Sequence, residues 1–181
     1  MVGLWAYNAP ACLEALKDAG KVGDVKVLSF DEDAVTLKAI VDGEMEGTIV
    51  QNPYEFGYQS MKYLNMIHDG TAFDVPENKE IDIPARAITK SNIEAFSAEI
   101  AERKRIGKEA EDAEKPASDK KFAFVINVVD PFWTFAQAGC YRAEQEFGIV
   151  ADFLAPPTGT VSEQNKILET ALPVSYTHLR A

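Results

Sequence analysis

The sequence predicts an α/β protein in which a parallel sheet carries helices on both faces, and three observations favour this class. Short apolar runs alternate with amphipathic segments of helical length, as they do in parallel βαβ units. Most of the apolar runs end in a polar or aromatic residue shortly before the next helical segment. The 181 residues are 46% apolar and 26% charged, which is ordinary for a globular protein with a real core.

Four strands and four helices are predicted before residue 108. The strands are short apolar runs bounded by turn residues, and they cover 1–6, 25–30, 48–50 and 81–88. The helices have apolar residues at helical spacing, and they cover 9–19, 35–41, 53–70 and 89 to about 107. Pro53 suits a first helical position, because the N–H that proline lacks would have no partner there.

A charged segment interrupts this pattern at 108–121. The stretch KEAEDAEKPASDKK has almost no apolar residue to anchor it in a core, so it predicts a solvated linker. The pattern restarts with strands at 122–126 and 149–154 and helices at 131–147 and 161–172. The sequence therefore predicts two βα blocks, 1–107 and 122–172, joined by a charged linker.

Several functional classes are disfavoured by composition and by missing motifs. The formal charge of −11 argues against nucleic acid or an anionic membrane surface as the main partner. No apolar run approaches the roughly 18–20 residues that span a bilayer. The sequence has no phosphate-binding glycine loop, HExxH, CxxC or GxSxG motif, so no cofactor, metal or catalytic residue is predicted. Cys12 and Cys140 have no disulfide or metal spacing, and their apolar neighbours are typical of packed thiols.

Polar and aromatic residues at the predicted strand ends are the main functional signal. In open parallel sheets, ligands bind outside the carboxyl ends of the strands. Carboxylates and amides hold adjacent sugar hydroxyls, and an aromatic ring packs against the apolar C–H face of a sugar. This mixture predicts a sugar-binding site. Its six candidate residues are Asn8, Asp31, Gln51, Asp130, Phe132 and Trp133.

Helix capping and packing are the alternative roles for these residues. Asn8, Asp31 and Asp130 stand just before predicted helices, where Asn and Asp are favoured N-caps worth about 1 kcal/mol. Gln51 differs, because Gln is not a capping residue and its neighbour Asn52 is the better cap. The adjacent Phe132 and Trp133 cannot both be buried on one helix stripe, although either ring can also pack under a loop.

Two segments of the chain resemble periplasmic sugar-binding proteins of the ribose-binding type, which are the substrate-binding components of ABC importers. The first segment, about 2–96, contains TIVQNP and IDIPARAIT and resembles the C-terminal part of such a protein. The second, KFAFVINVVDPFWTFAQAGCYRAEQEFGIVADFLAPPTGTVSEQNKILETAL, is similar to the start of the mature region. The resemblance implies a periplasmic binding protein-like I fold with incomplete lobes, in which 1–107 ends one sugar-binding unit and 122–172 begins a second.

The resemblance also implies roles for the six candidates. It makes Asn8 a sugar-contacting amide, Asp31 an acceptor of sugar hydroxyls, and Gln51 a contact at the crossing between lobes. Asp130 stands where ribose binders carry Asn, and Trp133 stands beside Phe132 where they carry Phe. These two departures imply a different or larger sugar. The arginine that the family supplies from its first lobe has no counterpart in this chain.

The function implied by this resemblance is binding without catalysis. Two lobes of the parent close on a monosaccharide, and the closed form then docks on an ABC permease in the membrane. The parent is expected in the periplasm. The alternative is a sugar-sensing effector domain of a transcriptional repressor. An enzyme is not predicted, because the sequence shows neither the nucleophile motif nor the cofactor loop that an enzyme of this class would need. Because both lobes are incomplete, we expect the chain itself to bind sugar weakly or not at all, unless its two blocks fold together as one rearranged domain.

The ends of the chain predict a fragment of a longer protein. Met1 lies within a predicted strand, with no basic and apolar export segment ahead of it. The tail PVSYTHLRA, 173–181, follows a helix where another strand is expected, and it resembles a translated adaptor sequence. We expect this tail to be non-native.

Overall fold

A computed structural model describes residues 1–171 and confirms the α/β class. The predicted tail 173–181 and the predicted helix end at Leu172 lie outside the described residues. The elements in chain order are β1 (Val2–Gly3), α1 (Asn8–Asp18), β2 (Leu28–Phe30), α2 (Ala34–Asp42), β3 (Gly47–Val50), α3 (Pro53–His68), β4 (Arg86–Thr89), α4 (Ile93–Asp112), β5 (Lys121–Val125), α5 (Pro131–Phe147), β6 (Val150–Leu154) and α6 (Val161–Ala171).

The chain forms two compact units. The first unit contains Met1–Asn52 and Ile83–Ala101, and the second contains Pro53–Asp82 and, among the described residues, 102–171. Helix α4 contributes residues to both. These units are defined by packing, whereas the predicted blocks 1–107 and 122–172 are defined by their parent units in the family. The assignment to parent units stays a prediction.

The first unit is built on a four-stranded sheet with the order β1-β2-β3-β4. Strands β1, β2 and β3 are parallel, as predicted, but β4 is antiparallel to β3. Parallel neighbours need a crossover that packs back on the same sheet. Helix α3 lies between β3 and β4 in sequence but belongs to the second unit, so it is not such a crossover. Strand β4 is therefore the antiparallel exception to the predicted parallel sheet.

Strand β1 is shorter than the predicted strand 1–6 and less buried. Within residues 1–171 it pairs only with β2, and Val2, Leu4 and Trp5 are exposed. The buried residue is Gly3, where a Cβ atom would lie 2.7 Å from the backbone nitrogen of Ala9. The edge position and this close approach of α1 explain why the apolar run is only briefly a strand.

The second unit is built on the parallel pair β5 and β6 and on the packing of α3 against α5. Its two helix backbones meet at glycines, because a Cβ atom on Gly57 would lie 2.0 Å from the carbonyl oxygen of Ala136, and one on Gly139 equally close to that of Tyr54. The core cluster joins residues of α3, α5 and both strands: Met61, Phe122, Cys140, Ala143, Ile149 and Ala151. The second unit thus combines segments from before and after the predicted linker.

Cys140 confirms the expectation of a packed thiol in the second unit. It is free of disulfide bonds and buried, and burial raises the pKa of its thiol from the ordinary 9.0 to about 12. Cys12 is also free and is half-buried.

The predicted linker 108–121 is partly structured and is held by charge. Helix α4 runs on to Asp112 and β5 begins at Lys121. Lys115 donates to the buried carboxylate of Glu144 at 2.8 Å and to the carbonyl oxygen of Ala151 at 2.6 Å. Lys120 binds Asp69 after α3, and this ammonium lowers the pKa of the Asp69 carboxyl by hydrogen bonding. The segment lacks apolar anchors, as predicted, but its lysines tie it to the second unit.

Within residues 1–171, none of the helices has the combined length and apolar character needed to cross a lipid bilayer.

Candidate functional site

Asp31 lies directly after β2, at the carboxyl edge of the first unit's sheet. Its backbone N–H donates to Ile49 at 2.8 Å, and its carbonyl oxygen accepts from the hydroxyl of Thr48 at 2.7 Å. Its φ is 63°, in the left-handed region that Asp tolerates better than most residues. The neighbouring strand therefore fixes the backbone of Asp31 on both sides and sets the direction of its half-buried side chain.

The capping role considered for Asp31 belongs to Asp33 instead. The carboxylate of Asp33 accepts from the backbone N–H groups of Val35 at 2.8 Å and Thr36 at 3.3 Å. Asp33 is therefore the N-cap of α2. Asp31, two residues earlier, is left with a carboxylate that the helix does not use.

Gln51 lies at the end of β3 and faces Asp31. Its side-chain Nε2 donates to Asp31 Oδ1 at 3.5 Å, the long limit of a hydrogen bond. Gln51 is exposed, and its amide carries both donors and an acceptor. The pair places a carboxylate and an amide side by side, where they can hold two adjacent hydroxyl groups.

Asn8 begins α1 and braces the loop that precedes it. Its side-chain amide donates to the carbonyl oxygen of Leu4, and its backbone N–H donates to that of Trp5 at 3.1 Å. The N-cap position of α1 is Tyr7, and no side chain caps this helix. Asn8 therefore shapes the loop after β1, and the side-chain oxygen of its amide takes no part in that bracing.

Trp5 is a residue that the sequence analysis did not single out. It lies two residues after β1, its φ is 66°, and it is 62% exposed. The apolar run 1–6 predicts a single strand. That prediction places Trp5 inside the strand and not beyond its end. The sequence signal for Trp5 is its place as an aromatic residue shortly before Asn8, the candidate residue at this strand end.

Arg86 is a second residue that the sequence analysis did not single out. It pairs with Val50 across β3 and β4, one residue from Gln51. Both terminal nitrogens of its guanidinium donate to Glu99, at 2.9 and 2.8 Å, and this bonding raises the pKa of Arg86. The two hydrogen bonds fix the Arg86 guanidinium next to the end of β3, and the Glu99 carboxylate balances its charge.

In the second unit, Asp130 is the N-cap of α5. Its carboxylate accepts from the backbone N–H of Phe132 at 2.8 Å, and Pro131 follows at the first helical position, where proline is favoured. The capping alternative thus accounts for one oxygen of this side chain.

Phe132 and Trp133 are both half-buried and belong to an aromatic cluster. Their rings meet edge to face with centroids 5.0 Å apart, a preferred aromatic geometry. Phe132 also approaches Phe56 at 6.4 Å, and Trp133 approaches Phe124 at 6.3 Å. The indole N–H of Trp133 donates to the side chain of Asn127 at 3.1 Å. Packing thus engages both rings while leaving part of each accessible.

A groove of about 490 Å³ in the second unit is lined by none of the six predicted residues. Its wall includes Tyr54, Arg105 and Tyr141. Arg105 is paired with Glu102 and Glu109, so it carries no uncompensated charge that would attract an ion.

The six predicted residues are divided between the two units, with Asn8, Asp31 and Gln51 in the first and the other three in the second. The structure brings Asp31 and Gln51 into contact, and it also brings Phe132 and Trp133 into contact. Among residues 1–171, no group of three or more His, Cys, Asp or Glu side chains is arranged to hold a metal ion.

Comparison with known families agrees with the geometry of the first unit's strand ends. No curated protein matches the chain at a significant level. The family model described as "Periplasmic binding protein domain" matches residues 1–72, a range that includes Asn8, Asp31 and Gln51 and ends before Asp130. Residues 1–72 are therefore similar to a periplasmic binding protein domain.

Proposed function

We propose that this chain comes from the substrate-binding component of an ABC-type sugar importer. In that role the parent protein is exported to the periplasm, encloses a monosaccharide when its lobes close, and delivers the sugar to a membrane permease. The family match over residues 1–72 supports a small-molecule binding function. The monosaccharide, the permease and the periplasmic location are our proposals.

The observation that carries this proposal is the pairing of Asp31 with Gln51. Asp33 caps α2, so the Asp31 carboxylate is available at the ligand-binding edge of a parallel sheet. A carboxylate accepts charge-assisted hydrogen bonds from hydroxyl groups, each worth about 1.5–3 kcal/mol. The neighbouring Gln51 amide both donates to and accepts from hydroxyls. Vicinal hydroxyl groups, which define a sugar, fit such a pair.

The mechanism needs no covalent step. The Asp31 backbone accepts a hydrogen bond from the Thr48 hydroxyl and donates one to the Ile49 carbonyl oxygen. These bonds position the carboxylate before the ligand arrives, which lowers the entropy lost on binding. Asn8 is proposed as a further sugar contact of the same parent sugar-binding unit, and Asp130, Phe132 and Trp133 are proposed as sugar contacts of the second parent unit. Because Asp130 and Trp133 replace the residues of ribose binders, we propose a sugar other than ribose.

The test is a titration of the isotopically labelled full chain with ribose, xylose, glucose and galactose, followed by NMR. We expect the amide signals of Asp31 and Gln51 to shift for at least one sugar. The contact between Asp31 and Gln51 favours weak binding over no binding, so the affinity should be in the millimolar range, a binding free energy of about −4 kcal/mol.

Two variants make the test specific to the site. Asp31→Asn keeps the backbone, since Asn also tolerates positive φ, but removes the charge and should abolish the shifts. Asp42→Asn removes another carboxylate of the first unit, one paired with Lys38 on α2, and should bind as the unaltered chain does. Absence of any sugar-dependent shift, or unchanged binding by Asp31→Asn, would contradict the proposed function. Micromolar affinity in a calorimetric titration would instead contradict only the expectation of weak binding.

A further inference from the structure

We propose that Trp5 is a stacking platform for the sugar, so that the first unit distinguishes a cyclic pyranose from an acyclic polyol. This inference rests on the proposed function and assigns a ligand contact and a ligand class to the same site. Three features of the first unit support it: the backbone of Trp5, its exposure, and its register with Asp31.

The conformation of Trp5 is unusual for a tryptophan. Its φ of 66° lies in a region that L residues other than Gly, Asn and Asp seldom occupy. Its side chain is 62% exposed, so burial of the indole does not repay the backbone strain. A strained and exposed residue at the end of a strand points to a role in binding.

The loop that carries Trp5 is held rigidly. Asn8 donates from its side chain to Leu4 and from its backbone to the carbonyl oxygen of Trp5 at 3.1 Å. Gly3 lets the backbone of Ala9 approach so closely that a Cβ atom would lie 2.7 Å from it. The backbone that carries the indole is therefore held in place before the ligand arrives, which lowers the backbone entropy lost on binding.

Strand register places Trp5 at the same edge as Asp31 and Gln51. Gly3 pairs with Ser29 in the parallel ladder of β1 and β2. Trp5 and Asp31 each lie two residues beyond this pair, and both have φ near 65°. Asp31 in turn contacts Gln51. An aromatic ring, a carboxylate and an amide thus follow three neighbouring parallel strands.

These three groups suit the two chemical faces of a pyranose. The hydroxyl groups at the ring edge bind the carboxylate and the amide, while the C–H face of the ring packs on the flat, apolar indole. An acyclic polyol has the same hydroxyl groups but no fixed flat face. Trp5 should therefore contribute to the binding of glucose and not to that of sorbitol.

The experiment compares glucose with sorbitol in NMR titrations of the full chain and of Trp5 variants. Trp5→Gly removes the ring and suits the positive φ, so the first unit should stay folded. We expect Trp5→Gly to weaken glucose binding about three- to tenfold, which is the range of one aromatic stacking contact. Sorbitol binding should not change. Trp5→Tyr should keep most of the glucose affinity, and Val41→Ala, an exposed apolar position on α2, should keep all of it.

A second readout uses the unaltered chain. Its two tryptophans give two indole N–H signals in the NMR spectrum. Each signal is assigned by its loss in one variant, Trp5→Tyr or Trp133→Phe. The NMR signal of the Trp5 indole should shift when glucose is added. Selective saturation of that signal should be transferred to the ring C–H protons of bound glucose. If Asp31 and Gln51 respond to glucose but the Trp5 indole does not, and Trp5→Gly binds normally, the stacking role is overturned while the proposed function stands. If no sugar shifts any residue, the proposed function itself fails.

Discussion

Asp31 and Asp130 occupy the same position in the two units, between a strand and the helix that follows it, but their carboxylates have different partners. Asp130 caps α5 through the backbone N–H of Phe132. Asp31 does not cap α2, because Asp33 does so two residues later. A strand-end carboxylate is free to bind a ligand when a second residue satisfies the helix. The first unit meets this condition at Asp31, whereas at Asp130 the helix cap occupies one of the two carboxylate oxygens.

The two units also differ in how far apart in sequence their packed elements lie. In the first unit, α1 packs on β1 and β2, its immediate neighbours along the chain. In the second, α3 packs on α5, although β4, α4, the predicted linker and β5 separate the two helices in sequence. Packing between distant segments depends on specific close contacts, so the second unit should be the more sensitive to changes at its glycines and its ion pairs.

The largest effect is expected for Gly139→Ala in α5. A Cβ atom there would lie 2.0 Å from the carbonyl oxygen of Tyr54, and the clash with backbone forces the helices apart. We expect a loss of about 3 kcal/mol in the stability of the second unit, at the upper end for overpacking. Gly107→Ala is the matched control, because its Cβ atom would meet the side chain of Thr134 at 3.3 Å and should be tolerated.

Thiol labelling of Cys140 in a Cys12→Ser background measures this loss. Burial raises the pKa of the Cys140 thiol from 9.0 to about 12, so at pH 8 the folded unit holds an unreactive protonated thiol and labelling reports on opening. A loss of about 3 kcal/mol predicts labelling faster by on the order of a hundredfold. Equal labelling rates in Gly139→Ala and Gly107→Ala would show that α3 and α5 are not in backbone contact.

A smaller effect is expected for Lys115→Met, which tests the anchoring of the predicted linker. Glu144 is 1% exposed and accepts from Lys115 at 2.8 Å and from the backbone N–H of Ala151 at 2.9 Å. Removal of the ammonium leaves a buried carboxylate without a counter-ion. Because Lys115 itself is half-exposed, we expect a loss of about 1–2 kcal/mol, less than for a fully buried pair.

The double variant Lys115→Met with Glu144→Gln is the control for Lys115→Met. A neutral amide still accepts from Ala151, so chemical denaturation of the double variant should recover at least half of the lost stability. Unchanged stability in Lys115→Met alone would restore the original prediction of a solvated linker.

Element positions could be predicted from the sequence more closely than their environments. Apolar periodicity located the helices, with the exception of the end of α4. Gly107 suggested a helix end, but α4 continues through it to Asp112. The direction of β4 could not be predicted, since it depends on α3 packing in the other unit. Lys115 and Lys120 were interpreted as solvated charges, because their carboxylate partners lie far away in sequence.

The candidate site was predicted at the level of strand ends. The alternation of strands and helices placed Asp31 and Gln51 at one edge, where the structure brings them together. Spacing alone did not show that Asp33 and not Asp31 caps α2, since both precede the helix by a few residues. The exposed position of Trp5 after β1 could not be predicted, because apolar composition does not show where a strand ends.

The smallest effects compare the three aspartates directly. Asp33→Ala and Asp130→Ala each remove a helix cap and should lower stability by about 1 kcal/mol. Asp31→Gly should change it by less than about 0.5 kcal/mol, because Gly suits the positive φ of this position and, among the described residues, the carboxylate makes a long contact with Gln51. Urea denaturation with hydrogen exchange at the first turns of α2 and α5 measures each change in its own unit. Should Asp31→Gly destabilise α2 more than Asp33→Ala does, the Asp31 carboxylate would be a helix cap in solution, and the contrast on which the sugar site depends would disappear.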